Sequence, residues 1–459
     1  MSNTLMISVS GMRGLVGSDL TPELVARHAA ALGAWAQAAG KPTVVLGRDA
    51  RTSGAMFAHA ATAGLLSVGC QVIDLGVVPT PTTQLAVEHH HAGAGLILTA
   101  SHNPVEWNAL KLVGPDGVFL DAEAGARVRA LAEQGPARRG WDGIGSVRND
   151  AEAIERHLGL LLALPELDVE AIRRARFRVA LDCVRGAGGT VIPRLLERLG
   201  CQVSGINLET DGRFPREPEP IPENLGELSA LVKRSGAQVG LAVDPDVDRL
   251  ALVDEQGEPI GEDYTLAFAV RALVRADGRS GGLAVDQPTV VANLSTSLVV
   301  EDAARACSAR FVRAPVGESN VVKTMQQEGA RIGGEGNGGV ILPALHLGRD
   351  APLGVALILQ YLARESRTVS ALVAAAPRYR IVKAKIKRGA DLEKAYGALL
   401  ERFPEASADR RDGLRLAWPN CWVHLRPSGT EPVIRMIAEA PSAAEAEALL
   451  DACRHLLQG

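Results

Sequence analysis

The segment Asp244-Pro245-Asp246-Val247-Asp248-Arg249 sets three carboxylates at alternate positions with an arginine directly behind them. In an extended or tightly looped segment, residues two apart project to the same side, so three negative charges converge on one point. Such a cluster calls for a cation. A hard divalent ion with oxygen ligands fits, Mg2+ above all where phosphate is also handled, and the arginine is then left to serve an anion. A calcium-binding EF-hand loop has the same spacing and would place Glu255 at its twelfth position, but its sixth position needs glycine and here holds Arg249. The flanking runs Val239-Gly240-Leu241-Ala242-Val243 and Leu250-Ala251-Leu252-Val253 read as short strands, with the carboxylates in the connection between them. Taken alone, the triplet leaves a solvated acidic turn open.

Three further segments could do chemistry. Thr99-Ala100-Ser101-His102-Asn103-Pro104 follows the apolar run Gly95-Leu96-Ile97-Leu98, so Ser101 sits where a rigid strand ends, a place suited to a nucleophile. A plain Ser/Asn-stabilised turn is the alternative, and no G-x-S-x-G elbow supports a hydrolase serine. Arg426-Pro427-Ser428-Gly429-Thr430-Glu431-Pro432, with Arg435 beyond, combines a glycine that lets backbone N–H groups turn inward with hydroxyls and two guanidinium groups. That is the composition of a phosphate cradle, though a hairpin loop fits the spacing equally well. Gly333-Gly334-Glu335-Gly336-Asn337-Gly338-Gly339 contains a formal G-x-G-x-x-G, but Val340-Ile341-Leu342-Pro343 after it reads as strand rather than the helix a dinucleotide site requires. Glu335 and Asn337 suit hydrogen bonding to sugar hydroxyls better; a flexible connector is the alternative.

These loops need a scaffold, and the chain supplies a strand–loop–helix–strand unit three times. The units run from Pro42-Thr43-Val44-Val45-Leu46 through Gly47-Arg48-Asp49 to Gly69-Cys70-Gln71-Val72-Ile73, from Phe177 to Val203, and from Pro288 to Ala314. Alternating strands and helices predict α/β layers with largely parallel sheets. The C-terminal part breaks that rhythm, with strands near 380–387, 414–416, 421–425 and 433–439 before a closing helix announced by the capping box Ser442-x-x-Glu445. The expected division is 1–150, 151–256 and 257–372 for three sequential α/β domains with similar mixed sheets, and 373–459 for a smaller α+β domain. At 459 residues the chain has room for four such units of ~100–150 residues each.

Aromatic residues make up only 3%, so the cores must be built from Ala, Val, Leu and Ile. A formal net charge of -4 gives no electrostatic case for nucleic acid or an anionic membrane surface. The six cysteines are scattered with no C-x-x-C pair, which suits a reducing compartment and argues against a disulfide frame or zinc site. No basic-then-apolar leader and no long apolar span is visible, so a cytoplasmic location is expected. The oligomeric state is not readable.

In order and at domain-sized intervals, T-A-S-H-N-P, D-P-D-V-D-R, G-E-G-N-G-G and R-P-S-G-T-E-P resemble the α-D-phosphohexomutases, a family that includes phosphoglucomutase, phosphomannomutase and phosphoglucosamine mutase. Gly11-Met12-Arg13-Gly14 and Asp211-Gly212-Arg213-Phe214-Pro215 also look like family segments, and the resemblance covers essentially the whole chain. It implies four domains around a central active-site cleft, each giving one loop. It further implies that Ser101 is a phosphoserine and that Asp244, Asp246 and Asp248 hold one Mg2+ together with the seryl phosphate. Arg249, His102 and Lys111 would stand beside the reacting group, with the general acid/base open. Glu335 and Asn337 would read sugar hydroxyls, while Arg426, Ser428, Gly429, Thr430 and Arg435 would hold the phosphate not being transferred, and Arg13 would contact substrate. The implied partner is a phosphosugar, interconverted between 1-phosphate and 6-phosphate through a hexose 1,6-bisphosphate. Many relatives carry Ser and His where this chain has Asn337 and Gly339, and several place a basic residue in the loop here read as Val316-Gly317-Glu318-Ser319-Asn320, with Lys323 nearby as a substitute. Those forms look more like the prokaryotic branch labelled phosphoglucosamine mutase or bifunctional phosphomannomutase/phosphoglucomutase; phosphoglucosamine mutase is the leading expectation, with phosphomannomutase/phosphoglucomutase as the alternative. From other classes, a sugar phosphatase and a non-catalytic sugar-phosphate-binding protein remain as rivals.

Overall fold

The computed structural model describes residues 5–8, 11–274, 279–280, 283–284, 287–387, 392–427 and 433–458. Each of the first three domains is built on a mixed sheet. In domain I the strands Thr43–Arg48, Gln71–Val77 and Ala94–Leu98 run parallel, and Trp107–Val113 pairs antiparallel with Ala94–Leu98. In domain II Arg178–Asp182, Gln202–Ile206 and Val239–Val243 are parallel and Leu250–Val253 returns antiparallel. Domain III repeats the arrangement with Thr289–Asn293, Arg310–Ala314, Ile332–Glu335 and the antiparallel Gly339–Ile341.

Numbering the four strands of each unit in chain order, the spatial order is 4-3-1-2 in all three domains. The repeated unit read from the sequence covers the first two strands; the structure joins to them, as a third and fourth strand linked by a hairpin, the apolar runs that flank the candidate loops. The three hairpin connections are the segments that carry Ser101, the aspartate triplet and Gly336-Asn337-Gly338. Domain I extends its sheet with the hairpin Met6–Ser8 and Gly11–Leu15 at one edge and Ser146–Asn149 at the other.

Local chemistry sets the element ends. Helix Pro22–Ala38 starts where the Thr21 hydroxyl accepts from the Leu24 amide, with proline at its first position. Helix Ala122–Gln134 is capped by Asp121 in the same way. In domain IV the strands Arg380–Lys387, Val433–Ala440, Trp422–Pro427, Leu414–Ala417 and Ser407–Asp409 form an antiparallel sheet in that spatial order. Helix Ala443–Gln458 follows, and the expected capping box is present: Ser442 N donates to Glu445 Oε2 at 3.0 Å and Glu445 N to Ser442 Oγ at 3.3 Å. A helix at Leu392–Arg402 is an addition to the strands-then-helix expectation; its apolar signal rests on Leu392, Tyr396 and Leu399 among charged neighbours.

One apolar core runs unbroken through domains I, II and III, from Val45 to Leu372. A second lies under the helices of domain I, and domain IV encloses its own around Leu414, Val423, Met436 and Leu450. The contacts joining domain IV to domain III include polar ones. Ser295 Oγ lies 2.8 Å from His424 Nδ1, Val316 N donates to Asp412 Oδ2 at 3.1 Å, and buried Glu439 accepts from Leu298 N at 2.8 Å and from Ser297 Oγ. Among the described residues no helix is long and apolar enough to cross a membrane.

Candidate active site

The aspartate triplet occupies the turn between Val239–Val243 and Leu250–Val253, as the flanking apolar runs predict. Its winding is tight. Asp244 Oδ1 accepts from Asp248 N at 3.2 Å and Arg249 N at 3.3 Å, and Val247 is held at φ +62°, an uncommon conformation for a β-branched residue. The turn thereby gathers the three carboxylates, all fully buried, so that one oxygen from each lies within 4.8 Å of the others.

Two of those oxygens, Asp246 Oδ1 and Asp248 Oδ1, are buried with no hydrogen-bond partner. Buried anionic acceptors without donors are costly, so the donor set is one that a cation completes. Burial and the two neighbouring carboxylates push Asp244 well above the usual carboxylate range. Three oxygens of this kind, in a site with no thiolate or imidazole ligand, fit a hard ion such as Mg2+.

Ser101 ends the strand Ala94–Leu98 from the facing domain. It is 3% exposed, at φ +50°, and its Oγ donates to Asp244 Oδ2 at 3.0 Å across 143 residues of sequence. Domain I also grips the turn through Thr80, whose Oγ1 donates to Asp246 Oδ2 at 2.8 Å and whose N donates to Asp246 O at 2.9 Å. Lys111 Nζ donates to Asp246 Oδ2 at 2.7 Å and lies 3.7 Å from Asp248 Oδ2. Desolvation would lower this ammonium's pKa, but Asp246 and Asp248 outweigh it and hold it above its ordinary value. Burial would raise Asp246, yet Lys111 keeps it below the carboxylate range.

Arg249 Nη1 donates to Glu219 Oε1 at 3.3 Å, while its Nε lies 3.9 Å from Asp244 and 3.7 Å from Asp248 without a hydrogen-bond partner. Arg13 reaches in from its own strand and donates to Asn103 Oδ1. His102 stands 3.8 Å from Glu219 Oε1, with its inner Nδ1 buried and unpartnered. Burial, then the charges of Arg249 and Arg13, depress it to about 2, so it is neutral at ordinary pH. Arg13, Ser101, Lys111, Arg249 and Arg349 line a cleft of about 230 Å³. A roomier hollow of about 500 Å³ between domains II and III, lined in part by Phe177, Gln238 and Leu362, holds none of the candidate catalytic, metal or substrate residues; Glu255, of the rejected calcium-loop spacing, lies there.

Glu335 and Asn337 lie in the domain III hairpin, which Arg349 joins to the cleft of about 230 Å³. Glu335 is 5% exposed and already engaged: Oε1 accepts from Asn293 Nδ2 at 2.9 Å and Gly317 N at 3.2 Å, Oε2 from Arg349 Nη1 at 2.9 Å and Asn337 Nδ2 at 3.4 Å. Asn337 Oδ1 accepts from Gly339 N at 3.2 Å. Arg349, unmarked in the sequence, is the hub. Besides Glu335 it binds Asp248 Oδ2 at 2.6 Å through Nη2 and Glu318 Oε2 at 3.0 Å through Nε, so it ties the aspartate turn to the Glu335–Asn337 segment. Gly339 makes room for it, because a Cβ there would stand 2.2 Å from Arg349 Cδ. The only local signal for Arg349 is its place before Asp350, the N-cap of helix Ala351–Glu365.

In domain IV Arg426 and Arg435 are direct cross-strand partners, and Lys385 lies opposite Arg435 on the next strand. Residues directly opposite in a sheet share a face, so three cations stand in one row, an arrangement that favours an anion. Asp412 lies 3.5 Å from Arg426 Nε. Ser428, Gly429 and Thr430 lie outside the described residues.

Mixed sheets in three domains and a fourth small domain bring a buried carboxylate turn to a strand-end serine. The sequence matches phosphoglucomutase/phosphomannomutase alpha/beta/alpha domain I over residues 5–139, domain II over 156–257, domain III over 261–379 and the C-terminal domain over 380–456. The chain belongs to this family and is a phosphohexomutase, an isomerase that transfers a phosphoryl group within its substrate. It is 38% identical over 455 residues to a phosphoglucomutase/phosphomannomutase of Thermococcus kodakarensis, covering 98% of this chain and 97% of that one. To a probable phosphoglucosamine mutase of Methanopyrus kandleri it is 36% identical over 446 residues, covering 96% and 95%. Its structure is similar to that of a phosphoglucomutase/phosphomannomutase family protein from Burkholderia thailandensis, with a TM-score of 0.84 at 25% identity over 99% and 98% of the chains.

Proposed function

We propose that this phosphohexomutase works through phospho-Ser101 with one Mg2+ per site, and that it interconverts glucosamine 6-phosphate and glucosamine 1-phosphate. The observation that carries the mechanism is the 3.0 Å approach of Ser101 Oγ to Asp244 beside the unpartnered oxygens of Asp246 and Asp248. Asp244, Asp246 and Asp248 would hold the ion together with the seryl phosphate. The ion supplies charge neutralisation at the phosphoryl oxygens.

The remaining work falls to side chains. Phospho-Ser101 donates its phosphoryl group to a hexose monophosphate, giving a hexose 1,6-bisphosphate that turns over in the cleft and returns its other phosphate to Ser101. Lys111, held charged, and Arg249, with a free Nε, neutralise the moving group; Arg13 adds a third cation at the cleft wall. His102, held neutral, stands next to Ser101 in sequence, and the general acid/base is left unassigned. Arg426 and Arg435 hold the spectator phosphate in either orientation of the sugar, together with Ser428, Gly429 and Thr430. Glu335 and Asn337 read sugar hydroxyls, and Arg349 keeps Glu335 aimed. Domain IV, with its own core, closes over the cleft and excludes water during the turnover of the bisphosphate.

The glucosamine assignment is supported by the probable phosphoglucosamine mutase relatives, such as that of Methanopyrus kandleri. The Thermococcus kodakarensis relative supports the alternative, phosphomannomutase/phosphoglucomutase activity. The deciding experiment assays the 1-phosphates of glucosamine, glucose and mannose side by side, with Mg2+ and a trace of hexose bisphosphate. Wild type should favour glucosamine and release little inorganic phosphate, and Ser101→Ala should be inactive on all three. Full mutase activity in Ser101→Ala would overturn the phosphoserine mechanism; phosphate release as fast as isomerisation would make the protein a phosphatase.

A further inference from the structure

The strand Thr43–Arg48 of domain I leads through Asp49 into Arg51, whose side chain is completely buried beneath the Ser101 loop. A guanidinium has five N–H donors in a fixed plane, and here all five are used. Nε donates to Asp49 Oδ2 at 3.0 Å, Nη1 to Pro104 O at 2.6 Å and Trp107 O at 3.0 Å, and Nη2 to Ser101 O and Asn103 O, both at 2.6 Å. Four carbonyls of one loop are thus drawn onto a single cation.

The anion of the pair is fixed as firmly. Asp49 Oδ1 accepts from Arg51 N at 2.9 Å, and Oδ2 also accepts from Thr99 Oγ1 at 2.6 Å. That same Thr99 oxygen accepts from Ser101 N at 2.9 Å. The chain of bonds therefore grips Ser101 by both its amide and its carbonyl and holds it at φ +50°, a left-handed conformation that a serine adopts only under constraint. The side chain is left to project toward Asp244.

Domain II seals the assembly from outside with the 211–215 segment. The Phe214 ring stacks on Arg51, its centroid 5.0 Å from Cζ. Gly212, at φ +68°, lies so close that an added Cβ would stand 2.0 Å from Ala50 O.

We infer that Arg51, with Asp49 and Thr99, is the positioning clasp of the nucleophile loop, and that the 211–215 segment is its buttress. The inference rests on the phosphoserine reading of Ser101. Its function is to hold the seryl oxygen in line with the sugar hydroxyl and to deny that line to water. With the clasp loosened, water oxygen bonds to phosphorus as the bond from phosphorus to Ser101 Oγ breaks. A water proton passes to Oγ and inorganic phosphate leaves.

Arg51→Lys replaces a planar five-donor fork with a point charge of three donors, and Thr99→Val removes the hydroxyl bridge while keeping shape; Thr99→Ser restores that bridge. Both disruptive variants should lower kcat about a hundredfold, the effect of misplacing a reacting group by roughly 1 Å, with KM little changed. Both should also release more inorganic phosphate per mutase turnover, and Thr99→Ser should return toward wild type on both measures. Phe214→Ala, which alters only a half-buried contact, should show the same two changes in smaller degree and guards against misfolding of the other variants. Folded variants with wild-type kcat and phosphate release overturn the clasp. So does a loss of activity that merely tracks the folded fraction, without a change in phosphate release. Intact mass of the resting protein separates the two readings: an active wild type carrying no phosphate on Ser101 overturns the phosphoserine reading and the clasp with it, whereas a phosphorylated wild type with indifferent variants overturns the clasp alone.

Discussion

If the aspartate turn is built for a cation, removing one carboxylate should make the metal-free protein more stable. The substitution is Asp244→Asn. Its Oδ1 can still accept from Asp248 N and Arg249 N, and its Nδ2, standing where Oδ2 was, can donate to Ser101 Oγ, so the hydrogen-bond frame is kept with the Ser101 bond reversed. What changes is charge. At a separation of 4.8 Å and an effective dielectric constant of about 20, each of the two repulsions that Asp244 feels from Asp246 and Asp248 is worth about 3.5 kcal/mol. The Arg249 guanidinium, 3.9 Å away, returns about 4 kcal/mol, leaving a penalty of roughly 3 kcal/mol on the ionised carboxylate; because Asp244 can shed it by taking up a proton, this is the upper limit of the gain when the charge is removed. For a cooperative unit of this size that corresponds to a rise in Tm of at most about 6 °C. Differential scanning fluorimetry in EDTA and in excess Mg2+ measures it: wild type should gain Tm with Mg2+, and Asp244→Asn should start higher and gain little. A variant that melts below wild type in EDTA, and still responds fully to Mg2+, would refute the reasoning.

Gly339→Ala should displace Arg349 and weaken its three carboxylate contacts, at about 2–4 kcal/mol of stability, with a raised KM for the sugar phosphate. Unchanged Tm and KM would show that Arg349 has another path through the hairpin. Burial alone would raise Asp350, but His157 Nε2 at 2.8 Å and His346 Nε2 at 3.0 Å hold it below the carboxylate range. A carboxyl depressed in this way contributes its full stability above the ordinary aspartate pKa of about 4 and loses it as pH falls below that. Asp350→Asn should therefore cost about 1–3 kcal/mol in urea unfolding at pH 7 and much less near pH 3, and an equal loss at both pH values would contradict the assignment.

Local signals predicted local structure. Apolar runs on either side of the aspartate triplet placed it in a turn between strands, and the strand before Thr99 placed Ser101 at a strand end. Ser442 and Glu445 foretold a helix start because both partners lie within four residues. The Gly339–Ile341 strand after the glycine-rich loop, the ground for setting aside a dinucleotide site, is also present. Arg349, Thr80 and Arg51 escaped notice for one physical reason: their partners lie 101, 166 and 50 residues away, and no periodicity or capping pattern encodes such a distance. The convergence of Ser101 with Asp244 came into view only through family resemblance, since neither segment refers to the other in sequence.

The common strand order of the three α/β domains separates what the chain stores in its strands from what it stores in its turns. Each of the three loops at the cleft is a connection whose two ends are pinned by adjacent, hydrogen-bonded strands, so its side chains can be rewritten while its endpoints stay in register. One architectural instruction, given three times, creates three addresses facing a shared centre. A hydroxyl is delivered to the first, a set of carboxylates to the second, and a carboxylate–amide pair to the third. Diversification of such a protein is then a matter of editing short messages at fixed addresses, with the apolar text that folds the sheets left unaltered.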